Sequence, residues 1–209
     1  MGERYLVFTG RPNSGKSSRI RKITGLKTRS GKRPGTTRRV SVYHLSQGLL
    51  LVDMPGYGWI TGASKSLVDG VKDEIIGFIE SKGGDIALAV HVLDLSTFLE
   101  VAWRMEKKGL IPLDLEMIQY LKESTGELPL VVANKIDKLG GEWVPLLAEL
   151  KDRIAVGHPS EPECIVFPIS AKTGEGLGAL KNAIHQKLAE EGFRTPLQEI
   201  TDNSLLQQL

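Results

Sequence analysis

The chain has 209 residues, of which 41% are hydrophobic and 25% charged, enough for one α/β domain with a core and too few for two. One cysteine, Cys164, excludes an internal disulfide framework, and no run approaches the roughly 18 apolar residues of a membrane-spanning helix; a cytoplasmic protein that does not engage membranes is expected. The net charge of +2 is uneven: residues 1–40 hold 12 of the 27 basic residues and one acidic residue, a balance of +11, against −9 for the remainder.

Tyr5–Thr9 is a short β-rich apolar run ending at glycine, and Lys16–Ile23 has helical character. Gly25–Arg39, rich in Gly, Lys, Arg and Pro, reads as a loop. Val40–Leu45 and Leu49–Asp53 are two strands around a hairpin turn at Ser46–Gly48, and Pro55–Ser64 holds too much glycine for regular structure. Leu67–Ser81 repeats apolar residues at Val71, Ile75 and Ile79 and predicts an amphipathic helix; Ile86–Leu93 is the unbroken apolar run of a buried parallel strand. A short helix within 97–112 ends near Lys108 and Gly109, and Asp114 is placed as the N-cap of a helix through Leu115, Ile118 and Leu121. A strand at Leu130–Ala133, a helix at Trp143–Ile154, a strand at Ile165–Ile169 and a helix at Leu177–Leu188 complete the order. This alternation predicts a single α/β domain over residues 1–190, with a mainly parallel sheet and helices on both faces. Residues 191–209 are expected to form a loosely ordered C-terminal tail. The opening MGERYLVFTG has neither the apolar run of a signal peptide nor the myristoylation pattern, so no targeting segment is expected.

GRPNSGKS, from Gly10 to Ser17, matches G-x-x-x-x-G-K-[ST] between a predicted strand and a predicted helix. Its glycines let backbone N–H groups turn inward around phosphate oxygens, and the helix N-terminus adds partial positive charge. Arg11, Pro12, Asn13, Ser14, Gly15 and Ser18 complete that cradle; Lys16 is assigned to the β and γ phosphates and Ser17 to Mg²⁺. Asp53 ends a strand in DMPG, where its carboxylate can hold the Mg²⁺ and Gly56 can bring its N–H to the γ phosphate, with Met54 and Pro55 between them. Within RPGTTRR, a threonine can close over the γ phosphate and complete the metal shell. Thr37 is preferred to Thr36, and Gly35 opens that turn.

The base is read by NKID, Asn134–Asp137, which follows a buried strand. The Asp137 carboxylate can accept from N1–H and the 2-amine of guanine, donors that adenine does not offer in that arrangement. The Asn134 amide is expected to support the other edge of the base, and the Lys135 stem to lie over the ring, with Ile136 between. SAK, at Ser170, Ala171 and Lys172, places a backbone N–H near the guanine carbonyl. GTP and GDP are therefore the expected ligands.

In this order, GRPNSGKS, RPGTT, DMPG, NKID and SAK resemble the motifs of the Era/EngA/EngB branch of translation-associated P-loop GTPases, the TrmE-Era-EngA-EngB-septin-like group. DMPGYGW is especially similar to EngB, and the likeness extends over about residues 4–190. It implies a Ras-like fold with a six-stranded sheet, Mg²⁺-dependent hydrolysis of GTP, and a switch role in assembly of the large ribosomal subunit. Cell division and septation are also ascribed to the family. Two departures from the family pattern stand out: Asn134 replaces a frequent threonine, and Trp103–Pro112 differs from the bacterial form. An archaeal member is expected.

Ras-like enzymes place a water-positioning glutamine directly after DxxG, where this chain has Tyr57. Hydrolysis is therefore expected to be slow without an activator; alternatively the chain is a nucleotide-dependent scaffold with negligible turnover. Tyr57, Gly58, Trp59 and Ile60 form either a nucleotide-dependent apolar surface or simple packing on the sheet edge. Lys16, Thr37, Gly56 and Asn13 are the candidate catalytic set, and Ser17, Thr37 and Asp53 the candidate metal ligands. Asn13 resembles the asparagine of potassium-activated GTPases, which implies a K⁺ beside the phosphates; its other reading is local satisfaction of the loop backbone. Arg19, Arg21, Lys22, Lys27, Arg29, Lys32, Arg33, Arg38 and Arg39 are either a solvated face or an electrostatic footprint for rRNA or a ribosomal subunit. A monomer is expected. His91 is read as a core or edge residue and Cys164 as a packed thiol.

Overall fold

The structure, a computed structural model, describes residues 2–26, 39–58, 65–156, 165–170, 172–194 and 197. Strand β1 (Arg4–Thr9) lies within the sheet and is buried on both faces, because its side chains alternate between two apolar layers. Leu6 and Phe8 point into one core; Tyr5 and Val7 point into the other. The remaining strands are β2 (Ser41–Ser46), β3 (Leu49–Asp53), β4 (Ile86–Asp94), β5 (Leu130–Asn134) and β6 (Val166–Ile169). They form a six-stranded sheet in the order β2-β3-β1-β4-β5-β6, parallel throughout except for the antiparallel β2–β3 pair. That pair is the predicted hairpin, and Gly48, at φ 76°, supplies the left-handed turn it needs.

Six helices are described: α1 (Lys16–Thr24), α2 (Lys65–Lys82), α3 (Leu95–Glu106), α4 (Leu113–Thr125), α5 (Trp143–Ala155) and α6 (Leu177–Glu190). Ile20 and Ile23 of α1, with Leu180, Ile184 and Leu188 of α6, cover one face of the sheet. On the other, Val71, Ile75 and Ile79 of α2 pack beside β1 and β3, while Phe98, Ile118 and Leu150 carry α3, α4 and α5 over β4 and β5. The result is the predicted α/β sheet covered on both faces, a Ras-like arrangement. Phe193 and Leu197 extend the α1–α6 core past residue 190. Among the described residues, no helix is long and apolar enough to cross a membrane.

Two predicted details are corrected. Residues 95–106 form a twelve-residue helix rather than a short irregular one. It follows β4 without a turn: the Asp94 carboxylate caps it, accepting from the Ser96 N–H at 3.1 Å and the Ser96 hydroxyl at 2.6 Å. Asp114 is not an N-cap. Helix α4 begins at Leu113 after Pro112, and Asp114, in its first turn, is only 4% exposed because its carboxylate turns toward other buried polar groups.

Candidate nucleotide site

The site gathers at the C-terminal ends of the parallel strands, the place where open α/β sheets bind ligands. The β1–α1 loop lies directly on β4: a side chain at Gly10 would come within 2.3 Å of the Val92 carbonyl oxygen. Asn13 (φ 64°) and Gly15 (φ 96°) are both left-handed, which curls the backbone into a concave loop, and Ser14 N–H donates to Arg11 O at 3.2 Å. Helix α1 starts at Lys16 with no side-chain cap, so its first-turn N–H groups and positive end, through Ser17 and Ser18, are presented to an anion. Asn13 is exposed at the crest of this loop.

Strand β3 delivers Asp53 to the same place. Its carboxylate, 1% exposed, forms an ion pair with the Lys16 ammonium and accepts from the Ser17 hydroxyl at 3.0 Å. Lys16 has three N–H donors, and one carboxylate oxygen leaves others for phosphate. After Asp53 the pairing with β1 continues for one bond, Met54 N–H donating to Phe8 O at 3.1 Å, and the Met54 side chain is buried in the core, so only its backbone borders the site. Pro55 is buried as well. Gly56 rests on the phosphate loop so closely that a Cβ there would lie 2.8 Å from Pro12 N.

The NKID segment is tied to the phosphate loop by Asn134. Its amide donates to Ser14 O at 2.6 Å while its own oxygen accepts from Lys135 N–H at 2.7 Å. The side chain is 1% exposed and both ends bond to backbone, so it also ties the two motifs together. Lys135 takes a left-handed φ of 69° and its ammonium pairs with Asp94 at 2.5 Å, which orients the stem along the loop. Ile136 is a core residue. Asp137 is exposed and accepts from the Ser170 hydroxyl at 2.7 Å. That hydrogen bond, assisted by Lys172 nearby, holds the Asp137 carboxyl below the usual carboxylate range. Ser170 Oγ also accepts from Thr173 N–H at 3.0 Å, which fixes the β6 turn. Gly35, Thr36, Thr37, Trp59, Ile60, Cys164 and Ala171 lie outside the described residues.

The motif reading missed the place of Arg19. Arg19, counted with the surface charges, is fully buried, and its guanidinium nitrogens have no hydrogen-bond partner among the described residues. Burial brings its pKa down to about 10, against the opposing pull of Asp137. The signal was present in the periodicity: Lys16, Arg19, Ile20 and Ile23 share one helix face at i, i+3, i+4 and i+7. Arg21, Lys22 and Arg39 are exposed, while Lys27, Arg29, Lys32, Arg33 and Arg38 lie outside the described residues. Tyr57 is 6% exposed and turned inward, toward Asp114 and His91. Burial, then the charge of Asp114, pushes its phenol well above the usual range, so the hydroxyl stays a donor. His91 is buried as expected, with Thr9 Oγ1 2.9 Å from Nδ1 and Asp114 Oδ1 3.2 Å from Nε2.

A family model described as "50S ribosome-binding GTPase" matches residues 5–135. The chain belongs to the EngB family of P-loop GTPases. A relative from Methanopyrus kandleri, named "Probable GTP-binding protein EngB", is 41% identical over 192 residues, 90% of this chain and 94% of the relative. A protein of the same name from Pyrococcus horikoshii is 40% identical over 192 residues, 90% of this chain and 86% of its own length. A crystal structure of a protein named engB is 38% identical, with a TM-score of 0.78 over 89% of this chain and 99% of that one. The fold alone is shared with Aquifex aeolicus Era, at 23% identity and a TM-score of 0.58, over 97% of this chain and 59% of that one.

Proposed function

We propose that this chain binds GTP and hydrolyses it slowly to GDP with Mg²⁺, as a nucleotide-dependent switch in assembly of the large ribosomal subunit. The observation that carries the reading is the junction of two half-sites: Asn134 bonds to Ser14 O, which brings Asp137 and Ser170 to the same rim as Lys16 and Asp53. Asp137, ionised and oriented by Ser170, accepts from N1–H and the 2-amine of guanine. The loop from Gly10 to Ser18 donates backbone N–H groups to the phosphates, with Lys16 on the β and γ oxygens, and Gly56 contributes its N–H at the γ position. Ser17 Oγ and Asp53 Oδ2 are oxygen donors of the kind Mg²⁺ takes, with Thr37 as the third candidate. Bound there, Mg²⁺ would neutralise charge developing on the phosphate oxygens.

Tyr57 faces the protein interior, so no side chain in that position orients an attacking water. This favours slow intrinsic turnover and gives weight to the second reading, a nucleotide-dependent scaffold with negligible hydrolysis. Asn13 is the residue we assign to a monovalent cation that substitutes for part of the charge of an arginine finger, a group worth about 10³–10⁵ in rate where it occurs. The ribosomal role is supported by the description of the matching family and by the exposed cations Arg21, Lys22 and Arg39. A division phenotype would follow from impaired assembly.

Phosphate release from GTP, in KCl and in NaCl at matched ionic strength, with and without large ribosomal subunits, tests these assignments. Faster release in KCl and stimulation by subunits are expected, with co-sedimentation in GTP that is lost in GDP and weakens steeply with salt. Equal rates in the two salts would remove the cation at Asn13. Release indistinguishable from a blank under every condition would leave the scaffold reading, and sedimentation indifferent to nucleotide would contradict both.

A further inference from the structure

A buried polar cluster lies beneath the phosphate loop and uses none of the residues assigned to the base. Asp114 of α4 is at its centre. Its Oδ1 stands 3.2 Å from His91 Nε2 and 3.5 Å from the Tyr57 hydroxyl, and its Oδ2 stands 3.6 Å from Arg11 Nη1. His91 is also bonded at Nδ1 to the Thr9 hydroxyl. Both ring nitrogens are satisfied when Nε2–H donates to Asp114 and Nδ1 accepts from Thr9. Three separate elements therefore meet at one carboxylate: the second residue of the phosphate loop, β4, and the residue that follows Gly56; the end of β1 joins them through His91.

The last of these matters most. Tyr57 is joined directly to Gly56, and Gly56 is pressed against Pro12 of the phosphate loop. Holding the phenol in place fixes the peptide that presents the Gly56 N–H. GDP has no phosphate at that point; GTP does. We propose that Asp114 is a positioning residue for the γ-phosphate contact: from α4 it anchors Tyr57, and through Tyr57 it sets the Gly56 backbone, so the preference for GTP over GDP depends on a carboxylate that touches neither nucleotide. This rests on the guanine-nucleotide reading above.

The arrangement has the marks of a built device. The three side chains are between 0 and 6% exposed, in a region where an unsatisfied polar group is costly, and they lie far apart in sequence, so no local turn or cap accounts for them. Arg11 adds a second link from the same carboxylate to the phosphate loop itself. The cluster thus spans both walls between which a γ phosphate would sit.

The test is the affinity of wild type, Asp114→Asn, Tyr57→Phe and the double variant for GDP and for a non-hydrolysable GTP analogue, each with Mg²⁺. Loss of the anchor is expected to weaken analogue binding about tenfold, the equivalent of one hydrogen bond, with GDP changed less than about twofold. The double variant is expected to be no worse than the weaker single one, because both remove the same link. An analogue-to-GDP ratio equal to wild type in Tyr57→Phe, or a parallel loss of both nucleotides, would overturn the proposal. Tyr57→Phe removes one oxygen and keeps the test available if Asp114→Asn does not fold. Failure of the wild type to bind either nucleotide would sink the guanine-nucleotide reading instead, a distinguishable result.

Discussion

Replacing Asn134 with alanine separates two roles that the NKID motif leaves merged. The side chain makes two hydrogen bonds to backbone, a buried one to Ser14 O at 2.6 Å and a part-buried one from Lys135 N–H at 2.7 Å. Each is worth about 1 kcal/mol net, and an acceptor left without a partner adds a desolvation cost of about 1–3 kcal/mol. The expected loss of stability in nucleotide-free protein is therefore about 3–5 kcal/mol. At about 2–4 °C per kcal/mol for a chain of this size, the thermal midpoint should fall by roughly 6–20 °C. Urea and thermal unfolding with EDTA present, followed by circular dichroism, measure this without the nucleotide. An Asn134→Ala protein as stable as wild type that binds GDP poorly would refute the clamp and return Asn134 to the base.

Other substitutions probe the electrostatics. Ser170→Ala removes the hydrogen bond that contributes most to holding Asp137 below its usual range. A depressed carboxylate keeps its contribution above its unfolded pKa and loses it as pH falls through the folded value, so wild-type GDP affinity should stay flat from about pH 7 into the ordinary carboxylate range near 4. The acid limb of Ser170→Ala should begin at higher pH; superimposable profiles would dissociate Asp137 from Ser170. Arg19→Met replaces a buried cation that has no hydrogen-bond partner among the described residues with an apolar chain of similar length, and a gain of about 1–3 kcal/mol in urea unfolding is expected. A lower midpoint would show that the guanidinium has a stabilising partner.

How much of this was legible beforehand differs by residue. Gly10–Ser17 and Asn134–Asp137 were readable because phosphate and base recognition each require neighbouring residues in one turn. The strands were readable because β1, β4 and β5 are buried on both faces and so must be apolar throughout. Asp114 was misread as a cap because cap chemistry is local, whereas its partners are 23 and 57 residues away and only the crossing of α4 over β4 brings them together. The tie from Asn134 to Ser14 was not legible for a related reason: the two are 120 residues apart, and the motif alone does not say which way the amide faces. Helix α3 was underestimated because β4 runs into it with no glycine or proline between them. Arg19 was misplaced through reading charge as exposure where helical spacing pointed inward.

The most direct test of guanine recognition is one titration series, with GDP, XDP and ADP against wild type and Asp137→Asn. Xanthine carries a carbonyl where guanine carries its 2-amine, so an amide at position 137 donates where the carboxylate accepts. The account predicts strong preference for GDP in wild type and for XDP in the variant, with ADP weak in both. Wild-type protein that binds ADP or XDP as tightly as GDP would contradict it.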